Sequence, residues 1–334
     1  MKIGILGCGS WGSAIANLLA RIGHEVHMYT RNEKQYARIQ SVGDNPGYLE
    51  DFTFDPSIQV HLSVEETIDG ADGIVLAVPT GAVRSTMEAV ARAGSKAPVI
   101  NLAKGLEQGS HLRLSQVAKE ILPDSPYIVL SGPSHAEEVA KFMPTTVLVC
   151  AEDEKHALWA QDLFTYDSFR VYVQDDMIGV EIGGALKNII ALGAGLSDGL
   201  GYGDNAKAAL MTRGLTEIQR LGIALGAKPI TFQGLSGIGD LIVTCTSVHS
   251  RNWRFGNLIG KGTDPDAAIE KVGMVVEGYK TTKACYELSR ELGIEMPITE
   301  KLYDVLYRGA DPGQAVSDLM QRPNKHENEK IFLL

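Results

Sequence analysis

Cysteine is scarce. The 334 residues hold four, Cys8, Cys150, Cys245 and Cys285, with no CxxC pair and no metal-like clustering. That excludes a disulfide-stapled scaffold and a thiolate metal centre, and no metal is expected. Free thiols of this kind fit a reducing compartment, by default the cytoplasm. Positive charge is also short: 31 Lys and Arg face 41 Asp and Glu, a formal net charge of -10. An extended nucleic-acid surface is therefore not expected, while a local basic pocket for a phosphorylated small molecule stays open. No window offers the ~20 uninterrupted apolar residues of a membrane span, so no membrane insertion is expected. The N-terminus, "MKIGILGCGSWGSAIANLLA", sets Lys2 ahead of an apolar run in the manner of a signal peptide, but Gly7, Gly9, Ser10 and Gly12 break that run. Repeats and low-complexity tracts are missing too, and the polar end "RPNKHENEK" before "IFLL" reads as a loosely held tail.

What is present describes a folded protein of two domains, with 44% hydrophobic and 22% charged residues. Short β-type runs alternate with helical patterns through the first half: "KIGILG", "EVHMYT", "QVHL", "DGIVLAVP", "PVINLA", "YIVLSG", "TTVLV" and "FRVYV". Near-continuous apolar strands separated by helices predict a mainly parallel sheet covered on both faces. After about Asp176 helical runs take over, as in "NAKAALMTRGLTEIQRLGIALG", and no convincing strand follows. The expected fold is thus an α/β domain over residues 1–178 and an all-α domain over 179–334.

Gly7-Cys8-Gly9-Ser10-Trp11-Gly12 fits GxGxxG, follows the first strand and opens the helical run "SAIANLLARIG". In a Rossmann-type βαβ unit the first glycine permits a tight turn, the second lets a pyrophosphate approach, and the third lets helix and strand pack closely. An NAD-selective site carries an acid about 20 residues on, at the end of the second strand. Here that stretch is Tyr29-Thr30-Arg31-Asn32, without an acid. A guanidinium suits a 2′-phosphate, so NADP is expected to be accepted beside NAD, their ratio being open. A solvent-facing arginine is the plainer alternative.

Further candidates lie where ligands bind in such sheets, beyond the carboxyl ends of strands. Lys104 in "NLAKGLE" follows an apolar strand, and Gly132-Pro133-Ser134-His135-Ala136-Glu137 follows another at an apparent helix start. Lys187 lies in "GALKNIIALGAG", where Gly183, Gly184, Ala191 and Ala194 fall within roughly 60° of it on a helix. An ammonium on a stripe of small residues is either confined and used, or snorkels to water. In "GIGDLIVT" Asp240 can orient a cationic lysine and Thr244 can bond a hydroxyl, while Ser250-Arg251-Asn252 at a helix start can take a phosphate. A loop aspartate and an N-cap serine are the bland readings.

Taken in order, "GCGSWGSAIA", "NLAKGLE", "SGPSHAEEV", "GALKNIIALGAGL", "GIGDLIVTC", "SRN" and "VVEG" closely resemble the bacterial NAD(P)-dependent glycerol-3-phosphate dehydrogenases, from Lys2 to about Tyr307. The resemblance implies a Rossmann-type first domain and a helical second domain of the 6-phosphogluconate-dehydrogenase-like kind. It implies interconversion of dihydroxyacetone phosphate and sn-glycerol 3-phosphate, the precursor of glycerophospholipids, and a homodimer. Lys187 matches the family's proton donor and acceptor, with Asp240, Lys104 and Thr244 beside it in the catalytic set. Lys104, Gly132, Ser134, Lys187, Asp240, Ser250, Arg251 and Asn252 match substrate-contacting positions. Gly7, Gly9, Ser10, Trp11, Gly12, Arg31, Lys104, Ala136, Arg251, Val275 and Glu277 match cofactor-contacting ones.

Chemistry then assigns Lys187 as the acid that protonates the incipient alkoxide, its pKa lowered by confinement and neighbouring cations and opposed by Asp240. Two rivals share parts of this pattern. A 3-hydroxyacid dehydrogenase of the related helical-domain type also bears a helix-borne Lys-Asn, but its substrate carries a carboxylate where "SRN" and "GIGDLIVTC" suit a phosphate. A non-catalytic dinucleotide sensor has no need of Lys187.

Overall fold

Each of the eight apolar runs becomes a strand in the computed structural model, which describes residues 1–324, 326 and 327. Most of the stretch read as a loosely held tail lies outside the described residues. The strands are β1 (Lys2–Leu6), β2 (Glu25–Tyr29), β3 (Gln59–His61), β4 (Gly73–Leu76), β5 (Val99–Asn101), β6 (Tyr127–Ser131), β7 (Thr145–Ala151) and β8 (Phe169–Gln174). They form one sheet in the order β3-β2-β1-β4-β5-β6-β7-β8. β1 to β6 run parallel, β7 is antiparallel to β6, and β8 is parallel to β7.

The central strands read as unbroken apolar runs because they are covered on both sides: Ile3, Ile5, Leu6, Ile74, Val75, Leu76 and Ile100 are all fully buried. The covering helices are α1 (Ser10–Ile22), α2 (Glu33–Val42), α3 (Val64–Ile68), α4 (Val83–Arg92), α5 (Leu114–Ile121), α6 (Ala136–Val139) and α7 (Glu154–Phe164). α1 packs with α6 and α7, and α4 with α3 and α5, as separate layers. Strand order reverses between β1 and β4, the switch point at which such sheets open a crevice beyond their carboxyl ends.

The helical unit comprises α8 (Met177–Gly199), α9 (Asp204–Ala224), α10 (Asp240–Thr246), α11 (Arg251–Gly260), α12 (Pro265–Val272), α13 (Glu277–Leu292), α14 (Pro297–Arg308) and α15 (Pro312–Met320). α8 is 23 residues long with a mean hydropathy of 1.4 over its best window, enough to cross a membrane by length and composition. Yet 89% of that window is buried, so its apolar content is that of a core helix around which the others pack.

The chain divides into two compact units: Met1–Ala103 with Leu114–Met177, and Lys104–Arg113 with Ile178–Leu334. A single boundary at 178/179 makes no provision for the segment Lys104–Arg113, which belongs with the helices although it lies between β5 and α5.

Candidate active site

α8 brings a lysine into the helical core because its neighbours are too small to fill the space themselves. A Cβ on Gly183 would meet the Ser236 carbonyl oxygen at 2.6 Å, so the chain ahead of α10 lies directly against α8. That approach delivers Asp240, the first residue of α10 and 1% exposed, to Lys187, which is 6% exposed. Lys187 Nζ donates to Asp240 Oδ1 at 2.5 Å and to Thr244 Oγ1 at 2.7 Å. Thr244, one turn after Asp240, donates its own hydroxyl to the Asp240 carbonyl at 2.6 Å, which leaves its lone pair for the ammonium. The other carboxylate oxygen, Oδ2, accepts from Lys104 Nζ at 2.6 Å.

Asp240 therefore bridges two ammonium groups with one oxygen each. Burial alone would raise its carboxyl, but the charges of Lys104 and Lys187 and their hydrogen bonds outweigh that and hold it below the usual range. Lys187 moves the other way. Burial, with the charge of Lys104 added, brings its ammonium down to about 8 against the opposing pull of Asp240. Two cations on one anion leave the cluster with a net positive charge and a proton that can be released near neutral pH.

Asn188, beside Lys187, extends the arrangement. Its Nδ2 donates to the Lys104 carbonyl at 3.4 Å, and its Oδ1 accepts from Asn252 Nδ2 at 2.9 Å. Asn252 Oδ1 in turn accepts from the Gly278 amide at 2.8 Å, and a Cβ on Gly278 would lie 2.5 Å from the Asn188 carbonyl oxygen. Ser250 is the N-cap of α11, accepting from the Trp253 amide at 3.2 Å, and Arg251 is exposed at the first helical position. Val275 is exposed just ahead of α13, whose first residue is Glu277.

The other expected positions belong to the sheet unit. Gly7 has a φ of 122°, and a Cβ there would strike the Ala77 carbonyl. A Cβ on Gly12 would strike the Gly7 carbonyl. Gly9 differs: a Cβ there would meet only the Tyr48 ring, with Cε1 at 3.8 Å in ordinary van der Waals contact, so no backbone crowds it. Gly7 and Gly12 thus serve the tight turn and the close packing of helix on strand. Ser10 and Trp11 open α1, with the Ser10 hydroxyl donating to the Tyr48 carbonyl at 2.8 Å. Arg31 is exposed beyond the end of β2. After β6, Gly132 has a φ of 126° and accepts from the Ser134 hydroxyl at 3.0 Å, while Ala136 begins α6. His135 sits at the N-cap of that short helix without a side-chain cap bond.

Residues absent from the expected set also build the site. The Cys8 carbonyl inside the glycine turn accepts from Gln35 Nε2 at 2.7 Å and Asn45 Nδ2 at 3.0 Å, and Asn45 also donates to Ser13 Oγ at 2.9 Å. Nothing local distinguishes these two amides in the sequence. Asn188 had a signal, being the second polar residue in an otherwise apolar run.

This geometry coincides with a family assignment. The family described as NAD-dependent glycerol-3-phosphate dehydrogenase N-terminus matches residues 2–157, and its C-terminus counterpart matches residues 176–317. Glycerol-3-phosphate dehydrogenase [NAD(P)+] of Shouchella clausii is 52% identical over 336 residues, covering 99% of both chains. The enzyme of that name from Enterococcus faecalis is 52% identical over 332 residues and 98% of each chain. Among solved structures, glycerol-3-phosphate dehydrogenase of Coxiella burnetii superposes with a TM-score of 0.93 at 38% identity, covering 96% of this chain and 98% of that one. The chain belongs to the NAD-dependent glycerol-3-phosphate dehydrogenase family.

Proposed function

We propose that this chain catalyses reversible hydride transfer between NAD(P)H and dihydroxyacetone phosphate, giving sn-glycerol 3-phosphate for glycerophospholipid synthesis. The observation that carries the reading is the buried Lys104–Asp240–Lys187 bridge with Thr244 beside it. When bound, the nicotinamide supplies the hydride in reduction and accepts it in oxidation. In reduction Lys187 gives its proton to the carbonyl oxygen as negative charge grows there; in oxidation the neutral amine takes it back. A pKa of about 8 serves both directions. Asp240 and Thr244 fix the direction of the Nζ–H bonds, and Lys104 adds positive charge where the oxyanion develops.

The glycine turn without backbone crowding at Gly9, the start of α1 without a side-chain cap and the exposed Arg31 guanidinium support a dinucleotide that bears either a ribose hydroxyl or a 2′-phosphate. The resemblance adds Gly7, Ser10, Trp11, Gly12, Lys104, Ala136, Arg251, Val275 and Glu277 for the cofactor. It adds Gly132, Ser134, Ser250, Arg251 and Asn252 for the substrate, the exposed Arg251 at the start of α11 being suited to the phosphate. Four free, buried thiols support a cytoplasmic home. A homodimer in solution is the assembly the resemblance implies, and sedimentation velocity tests it.

Purified protein is mixed with NADPH and dihydroxyacetone phosphate while absorbance follows the reduced cofactor. Consumption that depends on dihydroxyacetone phosphate is expected. Consumption with a 3-oxoacid instead supports the hydroxyacid dehydrogenase, and cofactor binding without turnover supports the sensor; either overturns the proposal.

A further inference from the structure

Lys104 reaches Asp240 from a segment that belongs to no helix or strand. Residues Lys104–Arg113 form a hairpin that is part of the helical unit, closed by an antiparallel bridge between Leu106 and Arg113 and by the Glu107 amide donating to the Leu112 carbonyl at 3.0 Å. It turns through Gly109 and His111, whose φ angles are 85° and 58°. The second is unfavourable for a residue with a side chain, so the surroundings must impose it.

Four contacts impose it. Leu106, 1% exposed, is part of the helical core. Gln108 Nε2 donates to the Lys280 carbonyl at 3.1 Å. The His111 ring lies between two α13 carboxylates, with Nε2 3.0 Å from Glu287 and Nδ1 3.5 Å from Glu291. At the base of the hairpin Arg113 Nη1 donates to Glu181 Oε2 at 2.8 Å, in a pair whose side chains are 16% and 5% exposed. Glu181 stands on α8, the helix that also carries Lys187 and Asn188. The pair therefore ties the loop bearing one ammonium to the helix bearing the other.

We propose that Arg113, through its ion pair with Glu181, is a positioning residue that keeps the Lys104 ammonium on Asp240. The inference rests on the role given to Lys104 above. A lysine side chain on a loop has much rotamer freedom to lose, and a fixed loop base reduces what its pairing with Asp240 must overcome. If the loop loosens, Lys187 keeps Asp240 to itself and loses a neighbouring cation. The charged and titratable groups acting on Lys187 are Asp240, Lys104 and the Cys245 thiol, so both changes favour its protonated form.

The test is the pH profile of kcat/KM for dihydroxyacetone phosphate reduction in the full-length enzyme, compared among wild type, Arg113→Ala, Arg113→Lys, Glu181→Gln and Lys104→Met. Circular dichroism melts verify folding. Arg113→Ala is expected to lower kcat/KM by about 10- to 100-fold, the scale of mispositioned catalytic groups, and to move the alkaline limb upward in the direction of Lys104→Met. Arg113→Lys keeps a cation and is expected to return part of both effects. A limb that moves in Lys104→Met but not in folded Arg113→Ala overturns the proposal. Should Arg113→Ala not fold, Glu181→Gln, which removes the charge and keeps the volume, must move the limb the same way or the proposal fails. If Lys104→Met changes neither rate nor limb, the role of Lys104 is wrong and the positioning role falls with it.

Discussion

Lys187 is held by a carboxylate and a hydroxyl yet is almost wholly removed from water, and the two effects oppose each other in its proton affinity. Burial and Lys104 win, bringing the ammonium down to about 8. The pH dependence follows from which form each direction needs. Reduction requires the ammonium, so kcat/KM for dihydroxyacetone phosphate is expected to fall as pH rises through about 8; oxidation requires the amine and is expected to rise through the same region. Initial rates in both directions check this, and limbs that move together sink the assignment. Lys187→Ala leaves Asp240 paired with Lys104, so it is expected to fold and bind NADPH while losing ~10²-fold or more in turnover. At Arg31 the argument is about charge alone. The guanidinium is exposed at the end of β2, and the corresponding acid of NAD-selective sites is missing. Arg31→Asp is expected to shift the ratio of catalytic efficiencies toward NADH, because a carboxylate repels a 2′-phosphate and accepts a ribose hydroxyl. Loss of ~1 to 3 kcal/mol of charge-assisted bonding corresponds to roughly five- to 150-fold in NADPH affinity. An unchanged ratio at one ionic strength removes Arg31 from the adenosine ribose.

Helix α8 makes the site possible by crossing α11 at glycine. Cβ atoms on Gly195 and Gly199 would strike the Trp253 and Asn257 carbonyls of α11, and Cβ atoms on Gly256 and Gly260 would strike the Leu192 and Leu196 carbonyls of α8. Only at this separation does Asn252 reach Asn188 and, through it, the Lys104 carbonyl. Gly256→Ala is expected to force the helices apart. Overpacking of this kind costs ~1 to 3 kcal/mol, more than alanine's higher helix propensity returns. The melting midpoint is expected to fall by several degrees and kcat/KM to fall with it; an unaltered melt and rate would show that the crossing is not tight. Part of this could be read in advance. The small-residue stripe around Lys187 is a local, periodic signal, and so are all eight apolar runs that became strands. Other parts could not. Asp240 lies 53 residues from Lys187 and 136 from Lys104, and no local pattern encodes such a meeting. The reversal of β7 is equally silent, since an apolar run looks the same in either direction. Gln35 and Asn45 hold the glycine turn from 27 and 37 residues away through side chains common on any surface.

At the scale of the whole molecule, pH acts on folding through buried groups, and one of them is a group that the chemistry does not use. Glu217, on α9 and 2% exposed, accepts from the Ile298 amide at 2.6 Å and from the Thr299 amide and hydroxyl at 3.2 Å, joining α9 to the start of α14. Burial raises its carboxyl to about 7 despite those bonds and the charge of Arg220. The folded state thus binds this proton more tightly than the unfolded chain, where the group has its ordinary value of 4.5. Between those two values the folded protein holds more protons, so its stability declines as pH rises through the window and levels off above about 7. At 1.36 kcal/mol per pH unit the decline is ~3 kcal/mol at most. Lys187 acts in the opposite sense at higher pH: its folded value of about 8 lies below the ordinary 10.5, so stability recovers as pH rises between them. Glu217→Gln removes the first effect and leaves the second. Urea unfolding of the two proteins at matched pH separates them, since every other titrating group is common to both. Wild type is expected to be the more stable at pH near 5, where the neutral acid can also donate to the Thr299 hydroxyl, and to lose that advantage progressively toward pH 7. A stability difference that stays constant from pH 5 to 8 would mean that Glu217 keeps one protonation state throughout, and that the α9–α14 junction holds a charge which its surroundings fully compensate.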